Sequence, residues 1–236
     1  YNKKMKEFIE YTQSIGLHIS ESKLLNLKKY LEILLEWNQK FNLTGIKESD
    51  EIWVKHFLDS ITVLQSIPED ARTAIDIGTG AGFPGLIIAI MRPDMHMTLV
   101  DATGKKVAFL KHVTETLGLK NITAVQARAE DLAHDKKNRE NYDLVLSRAV
   151  AYLPTLLEYT IPFAKIDGVF IAQKKEGNEE IETSKTAIEI LGGEIKEIIP
   201  ITAPSLTDRQ LVIIKKVKPT PEEYPRAEGL AKKRPL

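Results

Sequence analysis

A glycine-rich segment constrains the fold of this chain more than any other feature. Residues Thr73–Gly85 read TAIDIGTGAGFPG, so an apolar run over Ala74–Ile77 enters a loop with glycine at every second position from Gly78 to Gly82. A helical apolar run over Leu86–Met91 follows directly. Glycine lets the backbone approach a ligand closely, and a helix N-terminus directs unpaired N–H groups toward it. The segment therefore predicts a strand, loop and helix that hold a nucleotide-like cofactor in an α/β protein.

The spacing of these glycines separates two classes of cofactor. Gly78, Gly80 and Gly82 follow the pattern Gly-x-Gly-x-Gly, whereas nicotinamide-dependent dehydrogenases carry Gly-x-Gly-x-x-Gly. An acidic residue, Asp76, precedes the first glycine by two positions. This variant resembles the loop of S-adenosylmethionine (SAM) methyltransferases, so SAM is the predicted cofactor. A nicotinamide-dependent oxidoreductase is the alternative, and a cofactor titration would decide between them.

The composition excludes several kinds of chemistry. The chain has no cysteine, which excludes disulfides, zinc–thiolate sites and the cysteine nucleophile of 5-methylcytosine methyltransferases. Its 33 basic and 33 acidic residues give a net charge of zero, so binding of RNA would require a local basic patch. No apolar run approaches the roughly 20 residues that span a bilayer, and neither a signal peptide nor metal-ligand spacing is evident. We therefore expect a cytoplasmic, monomeric protein without a metal or a membrane partner.

The spacing of apolar residues divides the chain into three parts. An N-terminal helical extension is predicted over residues 1–70. Its first helix is expected to end at Gly16, its second to begin at Ser20 or Ser22, and its third to span residues 50–66. Residues 71–218 are predicted to form the cofactor-binding core. From Lys215 onward the chain carries seven basic residues, among them Lys216, against three acidic ones, and four prolines follow residue 218, so residues 219–236 are predicted to form an extended or partly ordered basic tail.

Seven strand-like runs alternate with helical runs in the core. The strands are predicted over Ala74–Ile77, Met97–Val100, Ile122–Gln126, Tyr142–Leu146, Val169–Gln173, Glu194–Ile201 and Gln210–Val217. Alternating strands and helices indicate a parallel sheet that is covered on both faces. Only the loop Thr202–Asp208 separates the last two strands, which predicts an antiparallel hairpin at the edge. This layout resembles the class I SAM-dependent methyltransferase (Rossmann-like) fold.

Three segments that follow predicted strands supply candidate cofactor ligands. Asp101 lies about 20 residues beyond the glycines, where a carboxylate binds ribose hydroxyls; the alternative is a helix N-cap, which Thr103 serves equally well. Ala129 and Glu130 follow the third strand, where proteins of this fold bind adenine, although acidic residues also favour a helix start. Arg148 follows the fourth strand, beside the position of the transferred methyl group. Its guanidinium suits the SAM carboxylate, an RNA phosphate or a guanine edge.

Longer matches cover nearly the whole chain and resemble one family. The segments are Trp37-Asn38-x-x-Phe41-Asn42-Leu43-Thr44, His56-Phe57-Leu58-Asp59-Ser60, the glycine loop, Lys105-Lys106-x-x-Phe109-Leu110, Arg128-Ala129-Glu130, Ser147-Arg148-Ala149, Arg209-Gln210-Leu211-Val212, and Tyr224-Pro225-Arg226 with Gly229. The chain resembles the guanine-N7 methyltransferases of bacterial small-subunit ribosomal RNA, also called glucose-inhibited division protein B. It departs from that family after the fifth strand, where Lys174-Lys175-Glu176-Gly177 replaces the usual Lys-Gly.

The resemblance implies a cofactor site, a substrate and a reaction. The residues expected to bind SAM are Gly78, Gly80, Phe83, Asp101, Thr103, Ala129, Glu130 and Arg148. The residues expected to position the substrate are Arg148, Lys174, Arg209 and Asn42. The substrate would be a guanine in the 530 loop of 16S rRNA, either naked or in the small ribosomal subunit. Direct in-line methyl transfer to the position-7 nitrogen requires no general base, because that nitrogen keeps a free lone pair.

The same residues allow other roles and other functions. Phe83 packs either on the cofactor or within its own loop, and His56 and Asp59 either face the cleft or pair along one helix. Arg226, Lys105 and Lys106 are further candidates for RNA phosphates. A methyltransferase of small molecules or proteins is an alternative that RNA stimulation and salt-sensitive affinity would exclude. A non-enzymatic RNA-binding assembly factor with a vestigial SAM site is another.

Overall fold

A seven-stranded sheet forms the centre of the fold in the computed structural model, which describes residues 3–203 and 205–236. The strands are β1 (Thr73–Ile77), β2 (His96–Asp101), β3 (Ile122–Gln126), β4 (Tyr142–Arg148), β5 (Ala164–Lys175), β6 (Gly193–Pro200) and β7 (Arg209–Lys216). Their order across the sheet is β3-β2-β1-β4-β5-β7-β6. The first five strands are parallel, and β7 runs antiparallel to both β5 and β6. The predicted α/β fold with its antiparallel hairpin is therefore confirmed.

Two apolar cores cover the two faces of this sheet. Successive side chains of a strand point to opposite faces. Leu144 and Leu146 accordingly join the core beneath the N-terminal helices, whereas Val145 joins the opposite core. The helices that follow the strands are α5 (Gly85–Met91), α6 (Gly104–Thr116), α7 (Ala129–Leu132), α8 (Leu153–Thr160) and α9 (Glu179–Ile190). Every central strand is buried on both faces. A ligand can therefore reach such a strand only at its end, and the segments predicted to bind ligands follow the carboxyl ends.

The N-terminal helices pack into the first of these cores. Helix α1 (Lys3–Ser14) ends before Gly16, whose φ of 75° suits glycine, and α2 (Glu21–Phe41) begins at the Ser20 N-cap. Both predicted boundaries agree with this, and α2 continues to Phe41. Residues 1 and 2 of the predicted extension, and residue 204 of the predicted hairpin loop, lie outside the described residues.

The third predicted helix is helical throughout but not uniform. It consists of α3 (Ser49–Ile52), a π-helical turn over Trp53–Leu58, α4 (Asp59–Ile61) and a 3₁₀ turn over Thr62–Ser66. A π-helical turn changes the direction in which the following side chains point, and such turns are frequent at functional sites. The side chains of His56 and Asp59 leave the helix at this turn and face the end of the sheet.

The C-terminal tail follows an extended path, as its prolines predict, before a short helix α10 (Leu230–Lys233). It is bound to the core. The guanidinium of Arg139 donates hydrogen bonds to the carbonyl groups of Thr220, Pro221 and Tyr224. The buried ammonium of Lys216 donates to the Ile161 carbonyl at 3.3 Å and pairs with Glu140 at 3.0 Å. Lys216, predicted among the basic residues of the tail region, is therefore unavailable to RNA.

Candidate active site

The candidate site lies where the carboxyl ends of β1, β2, β4 and β5 meet. The strand order reverses between β1 and β4, because β2 and β3 extend to one side of β1 and β5 extends to the other. Open α/β sheets bind ligands at such a reversal, outside the carboxyl ends of the strands. The segments predicted to bind the cofactor follow β1, β2, β3 and β4.

The glycine loop after β1 is held in place by the neighbouring strand and by a buried carboxylate. The backbone N–H groups of Gly78 and Thr79 both donate to the Val100 carbonyl, at 2.9 and 3.0 Å. Asp76 Oδ2 accepts hydrogen bonds from Thr79 Oγ1 at 2.6 Å and from the Gly85 N–H at 2.8 Å. The loop is therefore fixed from both ends by contacts within the protein.

Asp76 supports the loop from beneath and does not face the ligand side. Its side chain is fully buried, and its Oδ1 atom has no hydrogen-bond partner. Burial raises the pKa of Asp76 to about 7, although the hydrogen bonds from Thr79 and Gly85 act in the opposite direction. The acidic residue that precedes the glycines thus has a structural role here.

Asp101 brings the predicted ribose site next to the glycine loop. Its Oδ2 atom accepts from the Gly80 N–H at 3.1 Å and from Lys106 Nζ at 3.3 Å, and its Oδ1 atom accepts from the Thr103 N–H at 2.8 Å. A carboxylate offers about four acceptor positions, so one remains for a ribose hydroxyl. Thr103 is the N-cap of α6 but makes no capping bond through its side chain. Asp101 therefore shapes the turn before α6 and keeps capacity to bind a ligand.

The glycine loop leaves open space beside Gly80. Gly78 and Gly80 have φ values of 69° and 62°, which L side chains rarely adopt. A Cβ at Gly80 would find only the Gly78 carbonyl, at 4.0 Å, so the space above this residue is open. The Ala127 N–H, just before the predicted adenine segment, donates to the Asp101 carbonyl at 3.3 Å, so the predicted ribose and adenine ligands are neighbours.

The adenine candidates lie at the start of α7. Ala129 is the first residue of this four-residue helix, and Glu130 is 7% exposed. The Glu130 Oε1 atom accepts a hydrogen bond from the Gly229 N–H of the tail at 3.3 Å. Sequence spacing placed Glu130 correctly at a strand end but gave no sign of this contact with the tail.

Arg148 is held by three acceptors, two from the π-helical turn and one from the residue that follows it. Its Nη1 atom donates to the Lys55 carbonyl at 3.1 Å and to Asp59 Oδ2 at 2.9 Å, and its Nη2 atom donates to His56 Nδ1 at 3.0 Å. The guanidinium carbon lies 5.1 Å from the centre of the Phe83 ring, which is a cation–π distance. Of the two roles expected for His56 and Asp59, the structure favours the cleft, because both bind Arg148.

Phe83 lies under this arrangement as an aromatic support. Its ring stacks on His56 with centroids 4.5 Å apart, and it also contacts Tyr30 and Phe57. Only 4% of Phe83 is exposed, so most of its surface packs within the protein. The packing alternative for Phe83 therefore has direct support, and its contact with the cofactor remains a prediction.

His56 is neutral, and both of its ring nitrogens are occupied. Arginine only donates hydrogen bonds, so Nδ1 must be the acceptor and Nε2 carries the proton. Nε2 lies 2.7 Å from Thr44 Oγ1, to which it donates. Burial, and then the nearby positive charge of Arg148, lower the pKa of His56 to about 3. His56 consequently orients Arg148 and does not exchange protons near neutral pH.

A cleft of about 450 Å³ opens beside Arg148. Its lining is Ile46, Lys55, His56, Asp59, Arg148, Ala149, Gln173, Lys174, Lys175, Glu180 and Arg209. Five of these residues are basic and two are acidic, so the lining supplies the local basic patch that a chain of zero net charge needs to bind RNA. The structure thus brings together three of the four predicted substrate residues: Arg148, Lys174 and Arg209.

The charged residues of the cleft are partly paired with one another. Lys174 Nζ lies 2.6 Å from Glu180 Oε2 and donates to the Ala151 carbonyl at 3.0 Å. Arg209 Nε lies 3.7 Å from Asp59 Oδ1. Glu180 was missed by the sequence analysis, because nothing in its helical surroundings distinguishes it from a solvent-exposed acid.

Other predicted residues lie elsewhere. Asn42 is the exposed C-cap of α2, with a φ of 46°, and it is not part of the cleft lining. Lys106 pairs with Asp101, and Arg226 pairs with Glu158. Within residues 3–203 and 205–236 there is no cluster of acidic and histidine side chains suited to a metal ion. The same residues contain no helix with the length and apolar character needed to cross a membrane.

Comparison with protein families decides which of the expected classes applies. Residues 23–212 match the family model described as rRNA small subunit methyltransferase G. This chain belongs to that family. Membership confirms the predicted class, a SAM-dependent rRNA methyltransferase, and its cofactor SAM.

Relatives match nearly the full length of the chain. It is 44% identical to ribosomal RNA small subunit methyltransferase G of Acetivibrio thermocellus, over 98% of this chain and 96% of the relative. It is 49% identical to the protein of the same name from Desulforamulus reducens, over 92% of each chain.

Two solved structures illustrate the fold that this chain shares. The chain is similar to M. jannaschii TYW2 in complex with AdoMet, with a TM-score of 0.51 and 16% identity over 67% of this chain and 77% of that one. It is also similar to a ribosomal protein L11 methylase from Lactobacillus delbrueckii, with a TM-score of 0.54 and 13% identity over 74% and 81%. At these identities the similarity concerns the fold alone.

Proposed function

We propose that this chain methylates the position-7 nitrogen of one guanine in the 530 loop of 16S rRNA, by direct in-line transfer without a general base. The observation that carries the proposal is the basic cleft at the strand ends, in which the one histidine is neutral and fully engaged. Relatives with 44–49% identity carry the name ribosomal RNA small subunit methyltransferase G. The name supports an rRNA substrate, and the chemistry of the cleft supports the choice of atom.

The cofactor is held, in this proposal, along the ends of β1, β2 and β3. The backbone of Gly78 and Gly80 contacts its amino-acid part, Asp101 accepts from its ribose, and Ala129 and Glu130 bind its adenine. Bound SAM supplies an electrophilic methyl group on a positively charged sulfur. The chain supplies a site whose loop and carboxylate are fixed beforehand, so little ordering is needed upon binding.

The absence of a free base in the cleft matches the demand of the reaction. Guanine attacks through the lone pair of its position-7 nitrogen, so no proton has to be removed first. His56 accepts from Arg148 and donates to Thr44, and Asp59 is bound to Arg148 and Arg209. Catalysis then rests on the alignment of the reacting atoms, which supplies on the order of 7–11 kcal/mol.

Arg148 keeps two donors for the ligands. A guanidinium carries five N–H groups, and three of them bind the Lys55 carbonyl, Asp59 and His56. The remaining two suit the SAM carboxylate, a phosphate or the oxygen at position 6 of guanine. A direct contact with the position-7 nitrogen is disfavoured, because that atom becomes positively charged during the reaction.

The RNA is held, in this proposal, by Lys174, Arg209 and the other cations of the cleft. The reactive edge of guanine lies in the major groove, which is deep and narrow in paired RNA. The target must therefore be unpaired or exposed when it enters the cleft. Because the net charge of the chain is zero, binding of RNA depends on this local basic patch and not on the overall charge of the protein.

The test is methyl transfer from labelled SAM to small ribosomal subunits and to naked 16S rRNA that lacks the modification, with the labelled nucleoside identified by mass spectrometry. We expect label in 7-methylguanosine at one site in the 530 loop. Label in another base would refute the choice of atom, and label at another site would refute the choice of loop. Transfer to a small molecule or a protein without RNA stimulation would favour the alternative substrate class.

A further inference from the structure

The C-terminal tail reaches the residue that we expect to bind adenine. The Gly229 N–H donates to Glu130 Oε1 at 3.3 Å. Gly229 has a φ of 74°, a conformation that favours glycine and that directs its N–H toward α7. The carboxylate of Glu130 is therefore oriented partly by the tail.

An ion pair with a buried carboxylate fixes the tail in this position. Arg226 Nε lies 3.0 Å from Glu158 Oε1, its Nη2 lies 2.6 Å from Oε2, and its backbone N–H donates to Oε1 at 2.6 Å. Glu158 has no exposed surface. Such two-pronged pairs impose a defined geometry, and a buried carboxylate deprived of its partner is costly.

Further contacts attach the same stretch of tail beside α7. His134 Nε2 lies 2.8 Å from the Pro225 carbonyl, and Arg128 Nη2 lies 2.8 Å from Glu228 Oε1. Arg128 and His134 flank α7 on its two sides in the sequence. The tail is thus bound at both ends of the helix that carries Glu130.

We propose that residues 219–236 form part of the wall of the SAM site at its adenine end, with Arg226 as a positioning residue. The pair with Glu158 holds Gly229 against Glu130, and this contact holds the Glu130 carboxylate for the adenine. The inference rests on the proposed role of Glu130 in binding the cofactor. It assigns Arg226 a role in cofactor binding instead of the RNA contact that the sequence suggested.

The test uses full-length protein and the affinity for SAM measured by calorimetry without RNA. We expect Arg226→Ala to raise the dissociation constant for SAM about tenfold. Arg226→Lys retains the charge but loses the two-pronged geometry, so its effect should be smaller and of the same sign. Lys196→Ala is the control, because it removes one positive charge from an exposed position of β6, outside the tail, and should leave the SAM affinity unchanged.

A double-mutant cycle with Glu130→Gln distinguishes this role from general support of the fold. If Arg226 acts through Glu130, Arg226→Ala should have little further effect on SAM affinity in the Glu130→Gln background. Additive losses of affinity would refute the inference. If Glu130→Gln leaves SAM affinity unchanged, the proposed adenine site fails and the inference fails with it.

A second pair of readouts separates the cofactor role from an RNA role. We expect Arg226→Ala to raise the KM for SAM while the affinity for RNA, measured by filter binding, stays within twofold of the unmodified protein. A loss of RNA affinity with unchanged SAM affinity would overturn the proposal in favour of RNA binding by the tail. Should Arg226→Ala fail to fold, Arg226→Lys in the same cycle gives the decision.

Discussion

Arg148 donates a hydrogen bond to Nδ1 of His56 at 3.0 Å, and this bond fixes the protonation state of the histidine. Both groups contact the ring of Phe83. This ring stacks against His56 and makes a cation–π contact with the guanidinium of Arg148. The bond links the end of β4 to the π-helical turn of the N-terminal extension. The extension therefore contributes directly to the geometry of the candidate site.

Replacing His56 should impair methyl transfer without abolishing cofactor binding. His56→Ala removes one acceptor of Arg148, and a hydrogen bond to a charged group contributes about 1.5–3 kcal/mol. We expect the single-turnover rate with saturating RNA and SAM to fall roughly 10- to 150-fold. His18→Ala, at an exposed position, is the control and should keep the full rate. An unchanged rate in His56→Ala would contradict the role of this hydrogen bond.

The rate of methyl transfer should not depend on pH near neutrality. The pKa of His56 lies at about 3, so its charge does not change between pH 6 and 8, and we assign no general base. Asp76 has a pKa of about 7 but is buried beneath the glycine loop, so Asp76→Asn at saturating SAM is the control for its titration. Single-turnover rates measured across this range at constant ionic strength should agree within about twofold. A rising limb of slope one would reveal a group that must lose its proton, and it would refute the base-free mechanism.

The free energy of unfolding should depend on pH through the protonation of His56. The unfolded chain binds a proton on His56 below about pH 6.5, whereas the folded protein binds it only near pH 3. The contribution of His56 to the free energy of unfolding should therefore decrease as the pH falls from 6.5 toward 3, by up to about 1.4 kcal/mol per pH unit. The buried Asp76, whose pKa is raised to about 7, contributes with the opposite sign over this interval, so the comparison is made between the protein and a variant that keeps Asp76. Urea titrations of the protein and of His56→Gln check this, since the variant should lose less stability over that interval. If the protein and the variant lost stability equally as the pH falls, the pKa of His56 in the folded protein would lie closer to its value in the unfolded chain than the structure indicates.

Local sequence signals predicted the parts of the site that depend on nearby residues. The glycine loop and Asp101 follow from an apolar run, a turn and a fixed distance along the chain. The partners of Arg148 did not follow, because they lie 89 to 93 residues away and reach it through a π-helical turn that no apolar period encodes. Arg226 was assigned to RNA for the same reason, since its partner Glu158 lies 68 residues earlier.

Asp101 should contribute to SAM affinity through its unused acceptor position. Asp101→Asn removes the negative charge and replaces one oxygen with an amide donor, which disfavours both the ribose hydroxyl and the Thr103 N–H. We expect the dissociation constant for SAM to increase about tenfold or more, which corresponds to about 1.4 kcal/mol. Asp94→Asn is the control, because Asp94 pairs with Arg92 at a partly exposed position. Calorimetry that gives equal affinities for the two variants would count against the ribose role.

Because Lys174 and Glu180 form an ion pair, we expect substitutions of these two residues to change the affinity for RNA in opposite directions. Lys174→Ala should weaken RNA binding and reduce the slope of log affinity against log salt by about 0.7–0.9, because one phosphate contact is lost. Glu180→Gln should strengthen RNA binding, because the carboxylate 2.6 Å from Lys174 no longer competes with phosphate.

Filter binding of small-subunit rRNA at several salt concentrations measures both effects. Lys185→Ala and Glu182→Gln are the matched controls, since these two residues form an exposed pair on the same helix, α9. The controls should change RNA affinity by less than twofold, since exposed ion pairs have little influence beyond their own contact. If Glu180→Gln weakened binding, the carboxylate would be holding Lys174 in the orientation that RNA requires, and the lysine would act through that geometry and not as a free charge.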